Sequence, residues 1–212
     1  MSNPYQVVKD FEQALCEYTG SKYAVTTTSC TMALLLACKW HWKGVSYSCF
    51  SDPSDYYITI PSRTYCSVPQ SIIHAGLKPK FEDVAWEGMY QLKPSPVWDS
   101  ARLFTYGMYS DFYVDYGDFI CLSFHWSKTL AIGQGGAILH DSDAADYWFR
   151  RARFDGRAEG VAPKDDMLGM LGYHCYMSPR DAADGLSRLA VLPKHNAPLP
   201  NDDYPDLSKF YE

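Results

Sequence analysis

The chain has 212 residues, of which 47% are hydrophobic, 16% aromatic and 21% charged, and its formal net charge is -6. That length suits one α/β domain, and 17 Tyr, 10 Phe and 6 Trp are more adhesive surface than a disordered chain carries. Net acidity without a Lys/Arg block argues against nucleic acid or an anionic membrane as a bulk electrostatic partner.

The apolar run that ends at Cys38 is closed by Lys39 and falls far short of the roughly 20 residues a membrane helix needs. Met1-Ser2-Asn3-Pro4 shows no basic region leading into an apolar stretch, so no secretory leader and a cytoplasmic location are expected. The seven cysteines, Cys16, Cys30, Cys38, Cys49, Cys66, Cys121 and Cys175, are scattered and form no C-x-x-C pair, as expected of reduced, packed thiols. Cys38-x-x-His41 and His174-Cys175 are half-sites without matching spacing, so no metal is expected.

In chain order, Val7, Val8, Phe11, Ala14, Leu15 and Tyr18 recur at helical spacing before Gly20, which predicts an amphipathic helix over 5–19. The β-branched stretch 23–28 predicts a strand, followed by a polar turn, Ser29-Cys30-Thr31, and a buried helix from Met32 to Cys38. Residues 40–55 have no period and read as a loop. Residues 57–60, ending at Pro61, read as a strand, and 67–74 as a helix that ends at Gly76.

Short strands are expected at 80–84 and 97–98, with a clearer one at 119–124. The Tyr/Phe-rich stretch 103–116 follows neither period. After Gly133-Gln134-Gly135-Gly136 comes a strand at 137–140, then a helix over 144–154 capped by Asp141 or Ser142. Ser178-Pro179 opens a last helix to about residue 192, and a proline-bearing tail reads as extended. Strands alternating with helices predict an α/β fold with a sheet covered on both faces.

Most short catalytic motifs are missing. Ser127-Lys128-Thr129 imitates only the end of a P-loop, Gly133-x-Gly135-Gly136 precedes a strand instead of a helix, and no G-x-S-x-G occurs. Several ordered segments do share a pattern: Phe11-Glu12 with Tyr18-x-Gly20-x-Lys22-Tyr23-Ala24-Val25 and Ser29-x-Thr31-x-Ala33-Leu34; Pro61-Ser62-x-Thr64-Tyr65; His74-Ala75-Gly76-Leu77-Lys78-Pro79-x-Phe81-x-Asp83-Val84; and Trp98-Asp99-Ser100-Ala101. They continue with Gly117-Asp118-x-x-Cys121-x-Ser123-Phe124-His125-x-Ser127-Lys128, Gly133-Gln134-Gly135-Gly136-Ala137, Leu171-Gly172-Tyr173-x-x-Tyr176-Met177-Ser178 and Ala182-Ala183-x-Gly185-Leu186.

Together, from Phe11 to Lys194, they resemble the DegT-type pyridoxal-phosphate aminotransferases, fold-type-I enzymes that aminate keto-sugars carried on nucleotides. The resemblance implies a three-layer sandwich with a mostly parallel central sheet. It also implies a cofactor-binding unit over 1–194, an extended tail over 195–212 and no C-terminal small domain. Lys128 resembles the lysine that holds the cofactor aldehyde covalently and later moves a proton. Asp99 resembles the carboxylate that keeps the pyridine nitrogen protonated. Cys30 and Thr31, at a helix N-terminus, and Ser123 resemble phosphate contacts, and Tyr65 resembles the ring stacked on the pyridine.

Departures from the pattern set further expectations. Arg102 stands where relatives carry glutamine and is expected either to contact the cofactor's phenolate or to point outward. His174 stands where relatives carry the asparagine that reaches the partner subunit's phosphate, so His174 is a substitute for it or a structural histidine. The resemblance implies transamination with glutamate as donor and a nucleotide-sugar acceptor in a homodimer. The alternatives are a shortened non-catalytic relative, or half of a split enzyme whose missing domain comes from a second chain.

Overall fold

A computed structural model of the chain describes residues 5–46, 56–111, 115, 117–201 and 203–211. In chain order it contains α1 (Gln6–Thr19), β1 (Tyr23–Thr27), α2 (Cys30–Ser46), β2 (Tyr57–Pro61), α3 (Ser67–His74), β3 (Lys78–Glu82), β4 (Tyr90–Leu92), β5 (Val97–Asp99), β6 (Phe119–Ser123), β7 (Gly136–His140), α4 (Asp143–Ala152) and α5 (Pro179–Leu189). Ser142 caps α4 by accepting from the Ala145 amide, and Ser178 caps α5 by accepting from the Asp181 amide, each satisfying an orphan first-turn donor.

The five-stranded sheet has the order β1-β7-β6-β5-β4, and β2 and β3 form a parallel pair. Reciprocal hydrogen bonds between Thr59 and Lys93 tie that pair to the end of β4. The α/β layering is as expected, but the sheet is mixed instead of mostly parallel: β5 and β6 run parallel, while β1/β7, β6/β7 and β4/β5 are antiparallel.

Side-chain alternation along the strands builds two cores. Val25, Cys121 and Ile138 face α2, α3 and α4 on one side. Ala24, Ile120, Leu122, Ala137 and Leu139 face α1 and α5 on the other, around Phe11, Leu15 and Ala182. This period-two partition is what a sheet buried on both faces requires.

Three elements differ from expectation. The aromatic stretch read as a loop from residue 40 is helical through Ser46, because Trp40 packs on Trp148 and Phe149 and Trp42 on Tyr56; the rest of that stretch, 47–55, lies outside the described residues. β4 is a strand of only three residues, too short to show alternation. The chain after α5 packs back on the body, with Leu207 buried and one 3-10 turn at Ser208–Phe210.

Among the described residues no helix is long and apolar enough to cross a membrane. Cys38 and Cys175 are buried in the packed core, and the ring of His41 pairs with the Tyr56 hydroxyl at 2.9 Å.

A buried ionic network joins the layers. The Glu12 carboxylate of α1 accepts from the amide and hydroxyl of Thr26 in β1, and from Arg150 at 2.7 Å and Arg153. Arg153 also reaches Glu159. Burial alone would raise the Glu12 carboxyl, but the two guanidinium groups hold it down to about 2.

Candidate active site

β1, β5 and β6 run in one direction, because β5 parallels β6 and both β1 and β6 oppose β7. Their carboxyl ends therefore meet at one edge of the sheet, where open α/β sheets place ligands. β1 delivers Ser29, Cys30 and Thr31, β5 delivers Asp99, and β6 delivers Ser123 and the turn carrying His125, Ser127 and Lys128. With Thr64 and Tyr65 from the loop after β2, these residues line one cleft of about 300 Å3. Gly136 opens β7 opposite both Thr27 and Ser123. A Cβ on Gly136 would stand 2.5 Å from the backbone of Ser29 and Cys30, so only glycine lets the turn into α2 close over the sheet.

Asp99 is 4% exposed. Its Oδ1 accepts from the Ala101 amide at 2.9 Å and its Oδ2 from the Tyr90 hydroxyl at 3.0 Å. Tyr90 sits directly opposite Asp99 in the β4/β5 register. Its hydroxyl lies 2.6 Å from that of Thr64; since Tyr90 donates its one proton to Asp99, Thr64 donates to Tyr90. Burial pushes the Asp99 carboxyl above the usual carboxylate range, while the Ala101 amide, Tyr90, Lys128 and Arg102 pull it back. Burial and then the charge of Arg102 lower the Lys128 ammonium below the ordinary lysine range, against the pull of Asp99.

The first turn of α2 opens on the same cleft. The amides of Met32 and Ala33 turn back onto Ser29, which leaves those of Cys30 and Thr31 without an intrahelical acceptor. The Thr31 hydroxyl pairs with Ser67 at 2.8 Å, and the Cys30 thiol, pushed up by burial, lies 4.0 Å from Asp99 Oδ1. Tyr65 is 56% exposed, and its ring meets that of Tyr204 edge-on at 6.3 Å.

The tail contributes to the cleft wall. Tyr204 and Asp203 line it beside Trp86 and Arg102, and the Tyr204 ring stacks on Trp86 at 6.2 Å. Arg102 donates from Nε to the Tyr204 hydroxyl at 2.8 Å and from Nη2 to Asp203 Oδ1 at 2.9 Å. It therefore neither points outward nor lacks a partner. His174 does not join the group: its side chain is 72% exposed and its Nδ1 lies 2.9 Å from Asp155 Oδ2, outside the residues that line the cleft.

Residues 1–100 and 111–198 match the DegT/DnrJ/EryC1/StrS aminotransferase family. The chain belongs to that family. Among curated relatives, the spore coat polysaccharide biosynthesis protein SpsC of Bacillus subtilis is 40% identical over 77 residues, 36% of this chain and 18% of that protein. The UDP-4-amino-4,6-dideoxy-N-acetyl-beta-L-altrosamine transaminase of Campylobacter jejuni is 25% identical over 97% of this chain and 61% of its own length. The solved aminotransferase PseC of Helicobacter pylori, involved in the biosynthesis of pseudoaminic acid, superposes with a TM-score of 0.67 at 19% identity, over 88% of this chain and 58% of that one. A solved PLP-dependent aminotransferase of Bacillus cereus gives 0.68 at 20% identity, over 88% and 59%. The chain spans less than two thirds of the length of either curated relative.

The family match omits 101–110 and everything after 198, so Arg102 and its tail partners fall outside it. Sequence reasoning missed Tyr90, Trp86, Asp203 and Tyr204. Only the aromatic content of 86–90 and of the tail hinted at them, since their roles depend on strand register and on the tail folding back.

Proposed function

We propose that this chain is a pyridoxal-phosphate-dependent aminotransferase acting in the cytoplasm as a homodimer, and that it moves an amino group from an amino-acid donor, glutamate by family resemblance, to a keto-sugar carried on a nucleotide. The observation that carries this reading is the gathering of Lys128, Asp99, Tyr65, Cys30, Thr31 and Ser123 from separate segments into one cleft. The curated Campylobacter jejuni relative, a transaminase of a UDP-sugar by name, supports the acceptor class. Residues 1–194 are taken as the cofactor-binding unit. Exposed Trp126, Met167, Leu168 and Leu171 suit a contact with a second copy, within which His174 would face the neighbouring site.

The donor set fits the cofactor. Pyridoxal phosphate, when bound, supplies an electron sink that lets an amino group leave one carbon skeleton and join another. Asp99, buried and held by two donors, would pair with the ring nitrogen. The free first-turn amides of α2, with Thr31 and Ser123, would take the phosphate, and Tyr65 would cover one ring face. Lys128 would hold the aldehyde carbon and then, at Nζ, carry a proton away from the donor's Cα. Its lowered ammonium pKa suits that base role near neutral pH. Trp86 and Tyr204, which line the cleft, would help to exclude water.

The test is to load purified protein with pyridoxal phosphate, remove the excess by gel filtration, reduce with borohydride and map the added mass. The expected result is modification at Lys128, a near-visible absorption band that shifts on adding glutamate, and loss of both in Lys128→Ala. Full transaminase activity in Lys128→Ala would overturn the assignment. A second reading, a non-catalytic relative or half of a split enzyme, is favoured by the Asp203–Arg102 ion pair across the cleft mouth; a band that ignores glutamate would select it.

A further inference from the structure

We infer that Arg102 is a carboxylate-binding site in the wall of this cleft, occupied in the resting protein by the chain's own Asp203, which an incoming carboxylate displaces. As the site for the amino donor's carboxylate, it rests on the aminotransferase reading above.

Among the described residues, Arg102 and Lys128 are the only lysine or arginine side chains lining the cleft. Lys128 is assigned to the chemistry, which leaves Arg102 for an anionic ligand. Its side chain is 13% exposed, whereas that of Asp203 is 70% exposed. A guanidinium removed from water needs an anion or strong acceptor beside it, but a carboxylate as solvated as Asp203 can return to water at little cost. The pair is thus asymmetric: the cation is fixed and its partner exchangeable.

The surroundings hold Arg102 in place without Asp203. Its Nε is bound by the Tyr204 hydroxyl, and its guanidinium carbon lies 4.8 Å from the centre of that ring. The tail is anchored on both sides of Asp203. The Leu199 amide donates to the Arg102 carbonyl and Asn201 to the Trp86 carbonyl, each at 2.8 Å. Beyond it, the Leu207 amide donates to the Ser62 carbonyl and Asp206 bridges to Arg63. Displacing the latch therefore needs one side chain to swing outward, not the tail to lift. The edge vacated at Nη2 suits a planar carboxylate, the group already seated there.

The site is tested in the cofactor-free full chain by nuclear magnetic resonance, titrating succinate and following the Arg102 Nε–H signal, assigned by its loss in Arg102→Lys. Asp203→Asn is expected to saturate at about threefold to tenfold lower succinate than wild type. The double variants Asp203→Asn/Arg102→Lys and Asp203→Asn/Arg102→Gln, each keeping a folded amide spectrum, are expected to show no saturable amide shifts around the cleft.

Equal succinate affinity in wild type and Asp203→Asn would overturn the latch. Saturable binding retained in both double variants would overturn the site. Tighter binding of inorganic phosphate than of succinate at the Arg102 Nε–H signal of Asp203→Asn, read apart from shifts at the Cys30 and Thr31 amides, would overturn its carboxylate character. Absence of cofactor loading at Lys128 with the succinate response intact would sink the aminotransferase reading alone, and the reverse pattern would sink the latch alone.

Discussion

Asp99 is buried, and the donors and cations around it pull its carboxyl back against the upward push of that burial. Burial raises its carboxyl above the unfolded value, so the protonated form favours folding at low pH and that benefit is lost as pH rises through the folded pKa. Above its folded pKa the ionised Asp99 therefore costs stability, as functional groups often do. Asp99→Asn is expected to raise the urea midpoint of the cofactor-free protein at pH 7 while abolishing the transamination proposed above. Tyr90→Phe removes the donor to Oδ2 and is expected to lower stability by about 1 kcal/mol in the same melts. It should also raise the Asp99 titration midpoint, read by carboxyl nuclear magnetic resonance. That Lys128 and Asp99 belong with one cleft was legible in the sequence because each sits in a short, distinctive segment. Tyr90 was not, because its role comes from lying across from Asp99 in a three-residue strand.

Between elements, the α1/α5 contact turns on one missing side chain. A Cβ on Gly185 would stand 2.6 Å from the Phe11 ring, and that ring fills the core beneath with Phe124. Gly185→Ala is expected to destabilise the fold by about 1–3 kcal/mol through overpacking, and Phe11→Leu in the same chain should recover part of the loss, measured by urea unfolding of the single and double variants. Most helices were legible from their period and caps, as with Ser142 and Ser178. The continuation of α2 past residue 40 was not, because its tryptophans gain their partners from α4 and Tyr56.

Across the whole molecule, the Glu12 network is the main polar link between α1, β1 and the end of α4. The folded Glu12 carboxyl lies at about 2, below its ordinary 4.5. Its contribution to stability is thus present above about 4.5 and lost as pH falls toward 2. Wild type is expected to lose stability steeply across that interval, followed by circular dichroism, and Glu12→Gln to show a flatter dependence from a lower plateau. Arg153→Met, which leaves Glu12 with only one guanidinium, is expected to cost about 3 kcal/mol at pH 7 by urea unfolding.

The order of residues determined the alternation of strands and helices, the family, and the segments that furnish Lys128, Asp99, Tyr65, Thr31 and Ser123. Each of these follows from period, capping or a short motif that acts over neighbouring residues. The fold alone decided that β4 pairs antiparallel with β5 and seats Tyr90 on Asp99, that Arg102 is held by Asp203 and Tyr204, and that His174 turns to Asp155. Register and tail packing join residues far apart in the chain, and such contacts are chosen by the burial and pairing of whole surfaces, which no local pattern encodes.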